Sequence, residues 1–497
     1  MILNITDFCK AENATQGVIN AIEKMQSGDT LFFEKNEYHF YKDFSQHRLY
    51  HMTNTDSFVK PEKYFAVLIE KKENITIDGG GSVFVIHGDM CAFAAVKSSN
   101  LVLKNFTVRY NSPTNFELTV LKKTARKIVY SIPKNSSYSV KFNQVKFFEK
   151  SPFSGKNYYL VKNNNECYCN VIHRGNEVFR TILSPLKTAY SVKKTGDNQI
   201  ECKYLIPPKF EVGDTVAMSR NRCRDSCGLF FWECKNVSSE NITVNYMHGF
   251  GWLSQMCENL SFEKINFEPY GEYKVSSFAD CIHICGCKGE VKINNCFFTH
   301  PHDDGINIHG AFLRLENQIS SKKALFRFVH KQQGGYSAFY KGDKVKLYYV
   351  NNLQELDGIF TVKSASDNIN DKTVVLEFEE ELPVLKKKSV VIENITYNPK
   401  VTISNCLFKA IPTRGILCTT DRPSEIYSNV FESLKMPDIY ISCDCSNWYE
   451  SGPCKNMKIY KNKFSQTNPV VLEPICKFKP VDNVHENIEI FDNEQIG

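Results

Sequence analysis

The sequence predicts an all-β protein, a parallel β-helix that carries two inserted β modules. Three observations predict it. Short alternating strand phrases of one type recur every 23–26 residues, the length of one coil. Two stretches break that rhythm and are richer in Lys, Asn and Ser. Helical periodicity shows near the N-terminus, ahead of the first repeat.

That helix comes first. Asn13 is followed three residues later by Gln16, a capping-box variant. Val18, Ile22 and Met25 repeat at i, i+4 and i+7 on one face. Gly28 ends the helix, and residues 30–40 read as a strand. An amphipathic helix here covers the open end of a repetitive β structure, whose first coil would otherwise leave its core wet.

The repeats begin at Asn74. Asn74-Ile-Thr-Ile is matched 26 residues on by Asn100-Leu-Val-Leu, and Asn236-Val-Ser and Asn259-Leu-Ser lie 23 apart. Val291-Lys-Ile-Asn-Asn-Cys-Phe-Phe and Val401-Thr-Ile-Ser-Asn-Cys-Leu-Phe are nearly the same phrase. Ile426-Tyr-Ser-Asn-Val-Phe and Ile459-Tyr-Lys-Asn-Lys-Phe continue the series. Leucine-rich repeats share the period but not this frame. Cys296 and Cys406 hold one repeat position, which reads as interior stacking. The segments are therefore 1–112 (cap helix and first coils), 113–218 (inserted module), 219–315 (central coils), 316–396 (second inserted module) and 397–497 (C-terminal coils). Both insertions carry a turn entering a strand, Phe210-Glu-Val-Gly-Asp-Thr-Val and Tyr340-Lys-Gly-Asp-Lys-Val.

Composition narrows the function classes. A net charge of +6 over 497 residues is no nucleic-acid footprint. No apolar run approaches the ~20 residues of a membrane span. The N-terminus carries no visible secretion signal, so a cytoplasmic protein is expected, with its 19 cysteines reduced and mostly buried. Cys167/Cys169, Cys285/Cys287 and Cys443/Cys445 are CxC pairs, not the usual zinc spacing, so no metal and no cofactor are expected.

The chemistry sits between Ser277 and Gly310. Asp280 precedes one apolar run, and Asp303 and Asp304 precede another. If 23 residues are one coil, Asp280 and Asp303 stack on neighbouring coils, ~4.8 Å apart. Crowded carboxylates push one pKa up. A protonated acid beside an ionised one is what glycosidic cleavage needs. His283, His302 and His309 lie close in sequence, placed to orient groups or bind hydroxyls. Strict alternation puts Asp280 and Asp304 inward with the isoleucines. Either Gly305 permits a bend, or Asp303 is the outward acid. A second cluster follows: Arg414, then Trp448 and Glu450 in Asn447-Trp-Tyr-Glu-Ser-Gly-Pro, for stacking on a sugar and fixing hydroxyls. Trp252 is a third stacking candidate. The plainer reading of Trp252 and Trp448 is that they fill turns.

The phrases GFGWLSQMCENLSF, SFADCIHICGCKG, HPHDDGINIHG, TRGILCTT and NWYESGP resemble the α-1,3-galactosidases of glycoside hydrolase family 110. The resemblance spans roughly 70–110 and 225–475 with the order of phrases kept. It implies a right-handed parallel β-helix with β-barrel-like insertions. It also implies an exo-acting, inverting hydrolase that removes terminal α-1,3-linked galactose, including from blood-group B-type glycans. By position, Asp280 resembles the general acid, and Asp303 and Asp304 the candidate bases. The expected partner is an oligosaccharide with terminal α-galactose, with no nucleic acid and no membrane. Oligomeric state is open, a homodimer included. Two other classes compete: a Ca²⁺-dependent pectate-type lyase or polygalacturonase-like enzyme on the same fold, and a non-catalytic glycan-binding β-helix.

Overall fold

The computed structural model describes residues 1–162, 169–173, 177–181, 183–220 and 224–496. Cys167, of the first CxC pair, lies outside them. Strands stack coil upon coil into two long sheets, one of 17 strands and one of 11. Val237 pairs in parallel with Leu260, Leu260 with Val291, and Val291 with Val401, so the repeated phrases share one sheet. This is a parallel β-helix.

The repeat residues explain the stacking. Phe267, Phe298, Phe408, Phe431 and Phe464 form one inner column, with successive ring centroids 4.7–5.2 Å apart. That matches the strand spacing of ~4.8 Å, so identical rings meet face to face on every coil. Asn74, Asn100, Asn236 and Asn259 sit at a corner with φ of 53–57°. Asparagine tolerates this left-handed conformation. The carboxamides of Asn100, Asn236 and Asn259 each donate to the one on the coil before, at 2.8–2.9 Å, and Asn74 donates to the Ser27 hydroxyl. Cys296 and Cys406 are both 2% exposed and face inward. Asn429 and Asn462 take the place of these cysteines on later coils, at a second corner, level with Ile265 rather than with Asn259.

The helix Thr15–Lys24 buries Val18, Ala21 and Ile22 over the first coil. Its start differs from the capping-box expectation. Asn13 lies in a preceding 3₁₀ turn, and Ala14 is the cap residue. The Ala14 N–H donates to the His39 carbonyl at 2.8 Å, so a tertiary contact sets the start. Residues 30–40 form two short strands, Thr30–Phe32 and Glu37–Tyr41, on separate parts of Glu73–His87. Among the described residues, no helix is long and apolar enough to cross a membrane.

Two antiparallel modules stand outside the coils. The first spans Asn115 to Ser219, where the described residues form a seven-stranded and a three-stranded sheet. The second, Leu313 to Asn394, closes into a six-stranded barrel. Each has the same turn. Gly213 and Gly342 take φ of 94° and 90°. The following Asp214 and Asp343 accept backbone N–H bonds from Glu211 and Tyr340 at 2.7 and 2.8 Å.

Candidate active site

The site forms where three coils of the 11-stranded sheet begin. Ile282 pairs with Ile306, and Ile306 with Ile416. The coil is thus 24 residues here, so Asp304, not Asp303, stacks on Asp280. Arg414 occupies the same place on the next coil. Hydrogen bonds run through these positions, Cys281 N–H to the Asp304 carbonyl at 3.0 Å and Gly305 N–H to the Arg414 carbonyl at 3.1 Å. A bend at residues 302–305 breaks the alternation and turns the acids out of the core. They face a cavity of about 350 Å³.

The three carboxylates each offer an oxygen within 4.8 Å of the others. Their environments differ. Arg414 grips Asp304 through Nε to Oδ1 at 3.0 Å and Nη2 to Oδ2 at 2.8 Å. Asp303 lies between Arg180, 2.9 Å from Oδ1, and Arg224, 2.8 Å from Oδ2. Burial alone would raise the Asp303 pKa, but Arg180, Arg224 and Arg414 overcome it and bring it to about 2. Among the described residues, no Lys or Arg forms an ion pair with Asp280. Burial, then Asp303 and Asp304, push its carboxyl well above the usual range. The surroundings thus favour the protonated form of Asp280 and the ionised form of Asp303. A cation placed among these oxygens would compete with the guanidiniums already holding Asp303 and Asp304.

Behind Asp280 stands a chain of side chains. His283 Nδ1 lies 2.7 Å from Asp280 Oδ2, and His283 Nε2 lies 2.8 Å from His309 Nε2. His309 Nδ1 meets the Gly310 carbonyl at 2.6 Å, and Glu450 Oε1 lies 3.5 Å from His309 Nε2.

Distant segments complete the cavity. Gln255, fully buried, accepts from Thr53 N–H and donates to the His51 carbonyl, both at 3.0 Å. These bonds lay residues 51–54 across the sheet and bring Asn54 to the wall. The Asp444 carboxylate accepts from the N–H groups of Ser446, Asn447 and Trp448 at 2.7–3.0 Å. That folds the loop carrying Trp448, whose ring lies against His330 with centroids 4.0 Å apart. Glu450, Arg414 and Trp448 all line the cavity.

Three expected substrate contacts are placed elsewhere. Trp252 is 0% exposed and packs between Phe231 and Phe262 inside the helix. It pairs with Leu229 and Ile282, so the strand alternation turns it inward. Phe250, two residues earlier and in register with Asp280, does place its ring at the cavity. His302 is 3% exposed, lies off the cavity wall, and among the described residues neither ring nitrogen has a hydrogen-bond partner. Burial, with Arg180 beside it, lowers its pKa to about 3 and keeps it neutral. His309 sits behind His283, also off the wall. The sequence reading missed Arg180, Arg224, Asn54, Phe250 and Asp444. Register would have found Phe250. No periodic signal marks the others.

Residues 323–391 match the family model described as GLAA-B beta-barrel domain II. That range lies within the closed barrel. Over 476 residues the chain is 32% identical to alpha-1,3-galactosidase A of Bacteroides thetaiotaomicron, covering 93% of this chain and 81% of that protein. It is 30% identical over 507 residues to alpha-1,3-galactosidase A of Streptomyces avermitilis, covering 97% and 81%. Alpha-1,3-galactosidase B of Phocaeicola vulgatus is 27% identical over 457 residues, covering 87% and 73%.

Proposed function

Because the chain belongs to the alpha-1,3-galactosidase family, we propose that it is an exo-acting glycosidase that removes terminal α-1,3-linked galactose from oligosaccharides. Blood-group B-type and linear α-galactosyl glycans are the substrate classes. The observation that carries this reading is two unlike carboxyls in one cavity, Asp280 buried and pushed up in pKa, and Asp303 gripped by Arg180 and Arg224 and held low. Asp280 gives its proton to the glycosidic oxygen as the bond to C1 breaks. Water attacks C1 and loses its proton to Asp303 or Asp304, which yields the inverted sugar. Trp448, Glu450 and Arg414 line the same space and supply stacking and hydroxyl contacts.

One observation favours a second reading. Carboxylate oxygens within 4.8 Å fall short of the about 6.5–9.5 Å usual for inversion and near the about 5–5.5 Å of retention. In that case Asp303 or Asp304 attacks C1 directly. Proton NMR of the first-formed galactose separates the two. The β-anomer supports inversion, and the α-anomer assigns a nucleophile. No release of galactose from any α-1,3-galactoside overturns both.

A further inference from the structure

The geometry points to His283 and His309 as positioning residues for the proton of Asp280, with Glu450 setting the direction of the chain. This rests on the reading of Asp280 as the general acid. Start at the far end. The Gly310 carbonyl only accepts, so His309 Nδ1 is the donor at 2.6 Å. His309 Nε2 faces two groups, the Glu450 carboxylate at 3.5 Å and His283 Nε2 at 2.8 Å. Two imidazole nitrogens at 2.8 Å need one proton between them.

Three arrangements satisfy the chain, and one of them, an imidazolium His283 that donates to a neutral His309 and to an ionised Asp280, leaves Asp280 no proton to give. In the first of the other two, His309 is a cation and donates from Nε2 to His283. His283 is then neutral, protonated on Nδ1, and donates to Asp280 Oδ2 at 2.7 Å. The acid proton is left for Oδ1. In the second, His309 is neutral, His283 carries its proton on Nε2, and Asp280 must donate Oδ2–H into the wall. Only the first leaves the acid proton free for a substrate.

The surroundings choose the first. Both histidines are buried, His283 at 1% and His309 at 2% exposure. Burial alone would lower His309, but Glu450, then Cys285, raise it to about 10. Burial, then His309 and Arg224, push His283 well below its usual value. Burial raises Glu450, opposed by His309 and Arg414. Among the described residues, the other titratable groups facing the chain are Cys285, which meets Tyr336 Oη at 3.5 Å, Asp303 and Asp304 beside Asp280, and Asp444, whose charge raises Glu450. Phe250 packs edge-on to His283 at 4.5 Å and adds no charge.

The chain also stabilises the carboxylate that forms when the proton leaves. A donor at Oδ2 backed by a cation favours the ionised acid. Loss of the cation therefore raises the Asp280 pKa and moves the alkaline limb of the kcat profile to higher pH.

The test reads tautomers first. In ¹⁵N-histidine NMR of the full chain at pH 7, His283 is expected to carry its proton on Nδ1 and His309 on both nitrogens. Spectra of His283→Gln and His309→Gln assign the signals. A proton on His283 Nε2, or a neutral His309, overturns the inference whatever Asp280 does. Kinetics follow on an α-1,3-galactosyl disaccharide. His309→Met removes the donor. It is expected to lower kcat by roughly 10–100-fold, to leave KM within about threefold, and to shift the alkaline limb upward. His309→Gln keeps an N–H at the Nε2 position and is expected to recover most of the rate. Equal losses in both variants with an unmoved limb mean a packing role only, and overturn it. Failure of the underlying reading looks different. Asp280→Asn would then cleave the disaccharide normally while the tautomers stay as assigned.

Discussion

Arg180 Nη2 lies 2.9 Å from Asp303 Oδ1, although Arg180 belongs to the first inserted module and Asp303 to a coil of the helix. The same guanidinium donates to the His302 carbonyl at 2.9 Å. The module therefore reaches into the cavity and supplies part of its charge balance. Asp303, Asp304 and Asp280 are three acids, and Arg180, Arg224 and Arg414 are three cations set among them.

Arg180→Ala tests that link through pH. Asp303 is held low, at about 2, with arginines as the lowering groups. A depressed carboxylate stays ionised as pH falls until its folded-state pKa is reached. Removing Arg180 raises that pKa, so the acidic limb of kcat/KM is expected to move to higher pH. The Arg180 side chain is 44% exposed, so the fold is expected to survive. An unmoved limb with full activity would show that Asp303 takes no part as an ionised group.

Chelation separates hydrolase from calcium-dependent lyase. Two of the three carboxylates that would hold a cation, Asp303 and Asp304, already contact guanidiniums at 2.8–3.0 Å. Full activity is expected in EDTA. Loss of activity on chelation, restored by Ca²⁺, would assign the acids to a metal and favour the lyase.

Much of this was legible because the fold is periodic. The Phe column, the Asn corner and the acids all recur at coil spacing, so their neighbours follow from sequence alone. The errors came from register. Taking the coil as 23 residues paired Asp280 with Asp303, whereas the pairing of Ile282 with Ile306 puts Asp304 there. Trp252 was offered to the sugar because it is aromatic. Its pairing with Ile282 shows it points into the core. Arg180, Asn54 and Asp444 come from an insertion, a crossing strap and a loop. They reach the cavity through tertiary contacts that no repeat encodes.

The corner asparagines give a stability prediction away from the chemistry. Asn462 is fully buried. Its Oδ1 accepts from Asn429 N and Nδ2 at 3.0 Å, and its Nδ2 donates to the Ile426 carbonyl at 2.9 Å. Asn462→Ala strands these partners, and each unsatisfied buried group costs about 1–3 kcal/mol. A lower Tm is expected, with kcat on an α-galactoside unchanged in the folded protein. An unchanged Tm would show that water replaces the carboxamide.

Asp280→Asn tests the assignment of the acid by leaving group. Asp280 is 3% exposed, and burial with Asp303 and Asp304 beside it pushes its carboxyl well above the usual range, which favours the protonated form that an acid catalyst needs. Asparagine keeps the shape and can still accept from His283 Nδ1, but it has no proton of that acidity. A disaccharide leaves as an alkoxide unless protonated, so its hydrolysis is expected to fall by on the order of 10²–10⁴. An aryl galactoside with an acidic phenol leaves unaided and is expected to lose far less. Asp303→Asn and Asp304→Asn act on the other side of the sugar. Whichever of them serves the water or attacks C1 is expected to harm both substrates alike, because activation of the nucleophile does not depend on the leaving group. The contrast between the two substrates is therefore the measurement. Equal losses on both with Asp280→Asn would move the acid elsewhere. Near-normal disaccharide hydrolysis would remove Asp280 from the reaction.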